Sequence, residues 1–204
     1  MGFYSEVILP RLCDLALGTA GMTALRRELL ASVSGNILEI GFGTGLNLPC
    51  YPAPVRKITV IDPNPGMHRL AQRRIRSTGI EVDQRIMGSE SLPFADASFD
   101  HVVSTFTLCS IDQVDRALGQ IGRVLRPGGR FIFLEHGLSP EAGVQRWQRR
   151  LNWLQMRLGG GCRLDRQIGD LVIRHPFAGV ELERFYLPAV PRTHGYLYRG
   201  SARK

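Results

Sequence analysis

Three glycines at alternate positions, Gly41, Gly43 and Gly45, follow directly on the apolar run Ile37-Leu38-Glu39-Ile40. A strand that runs into such a turn and then into a helix start makes a cradle for a nucleotide-type ligand. Glycine suits it because it tolerates positive φ and has no Cβ to bar a close ligand. The spacing is not that of a dinucleotide loop. Leu46 stands where G-x-G-x-x-G would need its third glycine, which argues against an NAD-linked oxidoreductase. Glu39 is awkward to bury in an apolar strand unless it has a task there.

Beyond this turn, strand-like and helix-like segments alternate, which argues for a parallel sheet with helices on both faces. Strands are expected at 37–40, 57–62, 80–86, 99–104 and 130–135. Pro65 suits the first turn of a helix running to residue 76. Asp112 is expected to cap a helix over 113–125, and Pro127-Gly128-Gly129 to end it. A helix over 141–158 carries Val144, Trp147, Leu151, Leu154 and Leu158 on one stripe. Gly159-Gly160-Gly161 stops it, and a short helix follows over 165–174. Segments 181–187 and 195–202 read as two final strands paired antiparallel. The fold class is therefore α/β: a Rossmann-like, seven-stranded, mostly parallel sheet with the last strand antiparallel. Two helices over 5–17 and 22–32 are expected to cap the open end of the site as a lid.

At 204 residues the chain suits one domain with a substantial core. Its formal net charge is +8, and every basic side chain except Lys57 and Lys204 is arginine. That balance fits a nucleic acid, an anionic membrane or an acidic substrate, and equally a solvated basic face. Cys13, Cys50, Cys109 and Cys162 are widely separated and form no C-x-x-C. We therefore expect no metal, no disulfide scaffold, and reduced thiols in a cytoplasmic protein. Glu6, Pro10, Arg11 and Asp14 break up the N-terminal segment, and no stretch reaches the ~20 apolar residues of a membrane span.

Further motifs follow in order. Asp62 ends the second strand, 17 residues after Gly45, where a carboxylate can accept both hydroxyls of a ribose. Met87-Gly88-Ser89-Glu90-Ser91-Leu92-Pro93-Phe94, Ala97-Ser98-Phe99-Asp100 and Val124-Leu125-Arg126-Pro127-Gly128-Gly129 come next. With the E-x-G-x-G-x-G loop that starts at Glu39, these segments resemble the class I S-adenosylmethionine (SAM) methyltransferases. The resemblance implies SAM beyond the carboxyl ends of the strands, at the switch in strand order. It implies cofactor contacts from Glu39, Gly41, Phe42, Gly43, Gly45, Asp62, Pro63, Met67, Gly88, Ser89, Glu90 and Thr105. Glu39 is expected near the sulfonium and amino group, Asp62 on the ribose, and Met67 against adenine. Gly88 replaces the aspartate that usually reads adenine, so backbone amides around Gly88 and Ser89, or Glu90, are expected to take that part. One domain over 1–204 follows, with lid helices over 1–34, a SAM-binding core over 35–136, and acceptor-side helices and terminal strands over 137–204.

In this family the end of the fourth strand lies beside the transferred methyl. Here it reads Ser104-Thr105-Phe106-Thr107-Leu108-Cys109-Ser110. It has neither the D/N-P-P-Y/F/W motif of nucleic-acid amino methyltransferases nor the Pro-Cys of cytosine C5 enzymes, so no nucleic-acid partner is expected. Thr107 to Ser110, Glu135-His136, Gly161-Cys162-Arg163-Leu164 and His194-Gly195-Tyr196 are similar to the methyltransferase-like 7 proteins, a group associated with alkyl-thiol S-methylation. That group carries an N-terminal hydrophobic anchor, for which this sequence has no matching run. The implied activity is methylation of a small apolar acceptor, a thiol in its most specific version. The alternatives are a phospholipid N-methyltransferase, a quinone-type C-methyltransferase, and a SAM-binding regulatory protein. His136 is the expected proton acceptor, weighed against a packing histidine, with His175 and His194 behind it. Tyr4, Leu108, Cys109 and Trp147 are expected around the acceptor, Cys109 as a buried residue rather than a nucleophile. Leu9, Leu12, Leu15 and Leu17 make the lid apolar, and Arg146, Arg149, Arg150 and Arg157 border the later stripe. Such a surface allows peripheral membrane contact, although it also suits a core.

Overall fold

The computed structural model describes residues 2–204. A π-helical turn (Tyr4–Ile8) leads into α1 (Leu9–Leu17) and α2 (Ala20–Leu30). The sheet is built from β1 (Ile37–Ile40), β2 (Lys57–Ile61), β3 (Glu81–Arg85), β4 (Phe99–Thr105), β5 (Leu125–His136), β6 (Gly179–Tyr186) and β7 (Tyr196–Arg203). The spatial order is β3-β2-β1-β4-β5-β7-β6. β3, β2, β1, β4 and β5 pair in parallel, and β7 is antiparallel to both of its neighbours. The connecting helices are α3 (Pro65–Ser77), α4 (Val114–Val124), α5 (Ala142–Leu158) and α6 (Ile168–Ile173). Strand order reverses at β1, between β2 and β4. The loops leaving β1 and β4 therefore part and open a crevice at the carboxyl ends.

Both faces of the sheet are covered, which is why β1 reads as a nearly unbroken apolar run. Alternation along the strands sends side chains into two cores. Leu38, Ile40, Val102, Phe131 and Phe133 pack with Leu118 and Ile121 of α4. Ile37, Val60, Val103 and Ile132 pack on the opposite face with Leu30 of α2 and Ala71 of α3.

Two local expectations are corrected. The cap of α4 is Gln113, not Asp112, and no side chain makes a capping bond there. The helix ends at Val124, one residue before the expected end at Leu125. Pro127 has no N–H to give the Arg123 carbonyl, which instead accepts from Ala97 N at 3.1 Å. The chain is already extended at Leu125, so Pro127-Gly128-Gly129 lies inside β5, where the register with β4 shifts between Phe99 and His101.

The stripe on α5 is not core. Trp147, Leu154 and Leu158 are 56%, 38% and 49% exposed, and the buried residue of this helix is Gln148. Its side-chain amide donates to the carbonyls of Gly137 and Thr193, each at 3.0 Å, and accepts from Ser139 N at 3.0 Å. Those polar anchors turn the apolar face outward.

Candidate active site

The three loop glycines have φ of +68° (Gly41), +56° (Gly43) and +79° (Gly45). At Gly41 no other residue fits, since a Cβ would lie 1.9 Å from Thr107 Oγ1. At Gly43 the backbone faces open space, and the nearest atom to a Cβ would be the Gly41 carbonyl oxygen at 3.9 Å. The loop is pinned from below. Gly41 and Phe42 N–H donate to the Ile61 carbonyl at 2.9 and 3.1 Å, and Gly43 N–H to Asp62 Oδ2 at 2.8 Å. Asn64 N–H holds the other carboxylate oxygen at 2.8 Å. Burial raises the Asp62 pKa, and these two N–H bonds oppose the rise.

Glu39 is buried beneath the loop. It accepts from Tyr51 O–H at 2.7 Å and from Asn47 Nδ2 at 2.9 Å, and the same Asn47 amide donates to Thr105 Oγ1 at 3.0 Å. Burial pushes Glu39 up to about 7 against the two donors and the charge of Arg26. Asn47 Oδ1 is buried with no partner among the described residues. Arg26 on α2 is 2% exposed, donates to the Leu17 carbonyl at 2.8 Å, and leaves its Nε unpartnered. Its guanidinium stands 5.6 Å from the ring centroid of Phe106, a residue held at φ +54°. Positive φ at a bulky residue is strained backbone, of the sort that collects at ligand sites. Buried polar atoms without partners call for an explanation, and a ligand bearing both an ammonium and a carboxylate supplies one. The open glycine backbone, the acid beside an unpaired acceptor and the buried guanidinium therefore fit the methionine half of SAM. Sequence reasoning missed Arg26. The signal was its four-residue spacing from Met22 and Leu30, which puts an arginine on the apolar face of α2.

The remaining expected cofactor residues lie where β2 and β3 end. Pro63 is exposed, Met67 is half-buried on α3, and Ser89 is buried. A Cβ at Gly88 would meet Glu90 Oε2 at 2.5 Å, so the Glu90 carboxylate folds back over the glycine. The lid is fastened to the same region. Asp14 of α1 pairs with Arg74 at 2.7 Å and accepts from Thr44 Oγ1. Asn64 Nδ2 donates to the Ser5 carbonyl at 2.7 Å. Burial alone would raise the Asp14 carboxyl, but the bonds from Arg74 and Thr44 hold it below its usual value.

At the acceptor end, Glu135 is fully buried and acts as an anchor. It accepts from Ser104 O–H at 2.7 Å and from Thr107 N–H at 2.9 Å, which fixes the loop after β4. Burial raises its pKa. His136 Nε2 lies 2.8 Å from Cys162 Sγ, with the ring 6.5 Å from that of Phe106. Burial lowers the His136 pKa, and the bond to Cys162 and the charges of Cys162 and Glu135 overcome it to leave a net rise. The Cys162 thiol is raised in turn by its bond with Cys109 and by burial. Cys109, His136 and Cys162 thus form one cluster, with ligating atoms all within 4.8 Å of one another. Cys109 and Cys162, far apart in the sequence, meet in the fold.

Leu108 is fully buried, and Tyr4 O–H donates to the Leu158 carbonyl at 2.7 Å, tying the lid to the end of α5. Trp147 is not brought to this cluster. Its ring points outward beneath Arg150, 5.5 Å from the guanidinium carbon. His175 pairs with Asp115 at 3.2 Å, and His194 bonds Thr193 Oγ1 at 2.9 Å.

Residues 38–133 match the family model for a methyltransferase domain. Thiol S-methyltransferase TMT1B of Rattus norvegicus is 33% identical over 174 residues, which cover 79% of this chain and 71% of that protein. Thiol S-methyltransferase TMT1A of Homo sapiens is 33% identical over 193 residues, covering 87% and 78%. A solved SAM-dependent methyltransferase of Thermotoga maritima, a possible histamine N-methyltransferase, superposes with a TM-score of 0.70 at 21% identity, over 99% of this chain and 98% of that one. That likeness speaks for the fold alone. The sequence matches go further, and the chain belongs to the family of SAM-dependent methyltransferases that includes these thiol S-methyltransferases.

Proposed function

We propose that the protein methylates a small apolar thiol, using SAM held in the crevice between the loops of β1 and β4. The observation that carries this reading is the match to thiol S-methyltransferases over 87% of the chain, which runs past the cofactor core into the acceptor-side segments. In this reading Arg26 receives the cofactor's carboxylate, and Glu39 with Asn47 its ammonium. Asp62 takes the ribose hydroxyls, Met67, Gly88, Ser89 and Glu90 surround adenine, and Thr105 stands by the methyl. SAM supplies a methyl group made electrophilic by the sulfonium. The lid and the buried Glu135-anchored loop exclude water from that carbon. No strong base is required, because a thiol pKa of about 8.5 leaves a few per cent thiolate at neutral pH. His136 Nε2 is already engaged with Cys162, in keeping with that. We place the protein in the cytoplasm, a compartment that suits its four free thiols.

A panel of thiols, amines, phenols and lipids, offered free and in vesicles, is read by S-adenosylhomocysteine release. Alkyl thiols should turn over, with rates rising up to the thiol's own pKa. Turnover of an amine or phospholipid with no thiol methylated would reject the thiol and support the phospholipid or quinone-type reading. Cofactor binding without turnover on any acceptor would support a regulatory protein. The vesicle arm also tests membrane contact through exposed Leu12, Leu15 and Trp153. Among the described residues no single helix is long and apolar enough to cross a membrane, and a pair bent by 80°, Tyr4–Leu17 with Ala20–Leu30, passes that test only together.

Glu39 gives this site a pH signature. Its folded pKa of about 7 lies above the unfolded value. In the free protein its contribution to stability is therefore complete below the unfolded pKa of about 4.3 and is lost as pH rises through the folded one. A bound ammonium reverses the preference and favours the carboxylate. Binding SAM near pH 7 should release roughly half a proton, seen by calorimetry in buffers of different ionisation enthalpy. Glu39→Gln should abolish the release, and a wild-type value of zero would reject the assignment.

A further inference from the structure

We propose that Cys109, Cys162 and His136 form a three-ligand site for a zinc-type divalent cation, and that its open fourth position receives the acceptor thiol. The second half of this proposal rests on the thiol reading above. The three donors come from separate places: the loop after β4, the end of β5, and the loop after α5. Their sulfur and nitrogen atoms all lie within 4.8 Å of one another. Around one zinc, with bonds of about 2.3 Å to sulfur and 2.0–2.1 Å to nitrogen, tetrahedral ligand atoms stand about 3.5–3.8 Å apart. Small side-chain rotations close that difference. Two thiolates and an imidazole are the donors zinc prefers, and two thiolates balance its charge. Three protein ligands with one vacant position is the arrangement of catalytic rather than structural zinc.

The outer groups suit the same use. Gln155 Nε2 donates to Cys162 Sγ at 3.2 Å, and Ser110 Oγ lies 3.6 Å from Cys109 Sγ. Partners of this kind orient metal ligands. Arg166, bound to the Leu108 carbonyl at 2.5 Å and the Ile111 carbonyl at 2.6 Å, sets a positive charge near Cys109. The position is also right for an acceptor. The His136 ring neighbours Phe106, and Phe106 lies under Arg26 of the cofactor corner.

The proton balance is simple. Binding the cation displaces one proton from each cysteine thiol to solvent. An acceptor R–S–H that coordinated there would lose its proton to water and be held as R–S⁻. Its lone pair would form the new S–CH3 bond as the S–CH3 bond of the SAM sulfonium breaks, the electron pair of that bond leaving with neutral S-adenosylhomocysteine. The methylated sulfur would be uncharged and a weaker ligand, so the product would leave.

The test is metal content, measured on the intact chain without turnover. Protein produced with zinc and freed of loose metal should carry roughly one zinc per chain. Cys109→Ser and Cys162→Ser should each lower zinc affinity about tenfold or more, as should His136→Ala, while Gln155→Leu weakens it about tenfold. Asp62→Ala, in the cofactor corner, should keep the metal. Far-UV circular dichroism checks that each variant is folded, and SAM binding adds a second check for the variants of Cys109, Cys162, His136 and Gln155. In the cobalt-substituted protein, a small alkyl thiol should change the visible bands, and the matching alcohol should not. Stoichiometric metal absent from the wild type, or retained in a folded Cys109→Ser/Cys162→Ser variant, overturns the site. Metal present with a cobalt spectrum indifferent to thiols overturns the open position. A thiol-sensitive cobalt spectrum in a protein that methylates only amines would uphold the site while rejecting the thiol as substrate.

Discussion

Gly41→Ala should leave no measurable SAM binding. The new Cβ meets Thr107 Oγ1 at 1.9 Å, on a backbone already at φ +68°. Neither side can give easily, because Thr107 is tied through its N–H to the fully buried Glu135 and through its hydroxyl to the Gly41 carbonyl at 3.3 Å. The loop must move, and the Gly43 N–H then leaves Asp62. Asp62→Ala attacks the same unit from the other side and is milder. It removes the proposed ribose acceptor and both loop N–H partners, for a loss of roughly 1–3 kcal/mol, or about 5- to 150-fold in affinity. Arg26→Met, which keeps the length of the side chain and removes its charge, should weaken SAM by a similar amount. Calorimetry with SAM and with S-adenosylhomocysteine reads all three. Unchanged affinity in folded Asp62→Ala would dismiss the ribose assignment, and unchanged affinity in Arg26→Met the carboxylate assignment.

Deleting residues 2–17 should remove turnover while the sheet stays folded. The segment contributes no member to either core cluster. What it loses is closure: the Tyr4 bond to Leu158, the Asn64 bond to Ser5, and the Asp14 pair with Arg74. Without them water reaches the reacting carbon, and the acceptor end loses a wall. Asp14→Ala is the gentler version and should lower turnover without changing the far-UV spectrum. The Asp14 carboxyl is held below its usual value. Its tie is therefore complete above the unfolded aspartate pKa of ~3.9, and pH opens the lid only as it falls through the lower folded value. Full activity in the truncated protein would show that the lid is no part of the catalyst.

Some of this molecule is local in origin and some is not. β1 was legible because a parallel strand covered on both faces must be apolar throughout, and Glu39 stood out against it. The glycine loop was legible because positive φ at Gly41, Gly43 and Gly45 is a demand of the backbone itself. The two last strands were placed and paired antiparallel as expected, although their bounds moved to Gly179–Tyr186 and Tyr196–Arg203. The end of α4 was placed too late because the consequence of Pro127 falls four residues upstream, at a carbonyl that Ala97 then claims. On α5, periodicity drew a correct apolar stripe but carried no information on which face docks. Gln148 decides that through backbone groups of Gly137, Ser139 and Thr193, none of them in the helix.

The sequence by itself determined the order of the elements, the parallel sheet and the cofactor loop, since each follows from residues adjacent in the chain. Only the tertiary structure decided that Arg26 is buried beside Phe106, that Trp147 faces outward, and that Cys109, His136 and Cys162 meet. Local spacing reveals ligands that share a loop. Cys109 and His136 meet because the neighbouring parallel strands β4 and β5 deliver their carboxyl ends to one edge of the sheet, and the loop after α5 brings Cys162 to them, with Arg163 N–H donating to the Cys109 carbonyl at 3.0 Å.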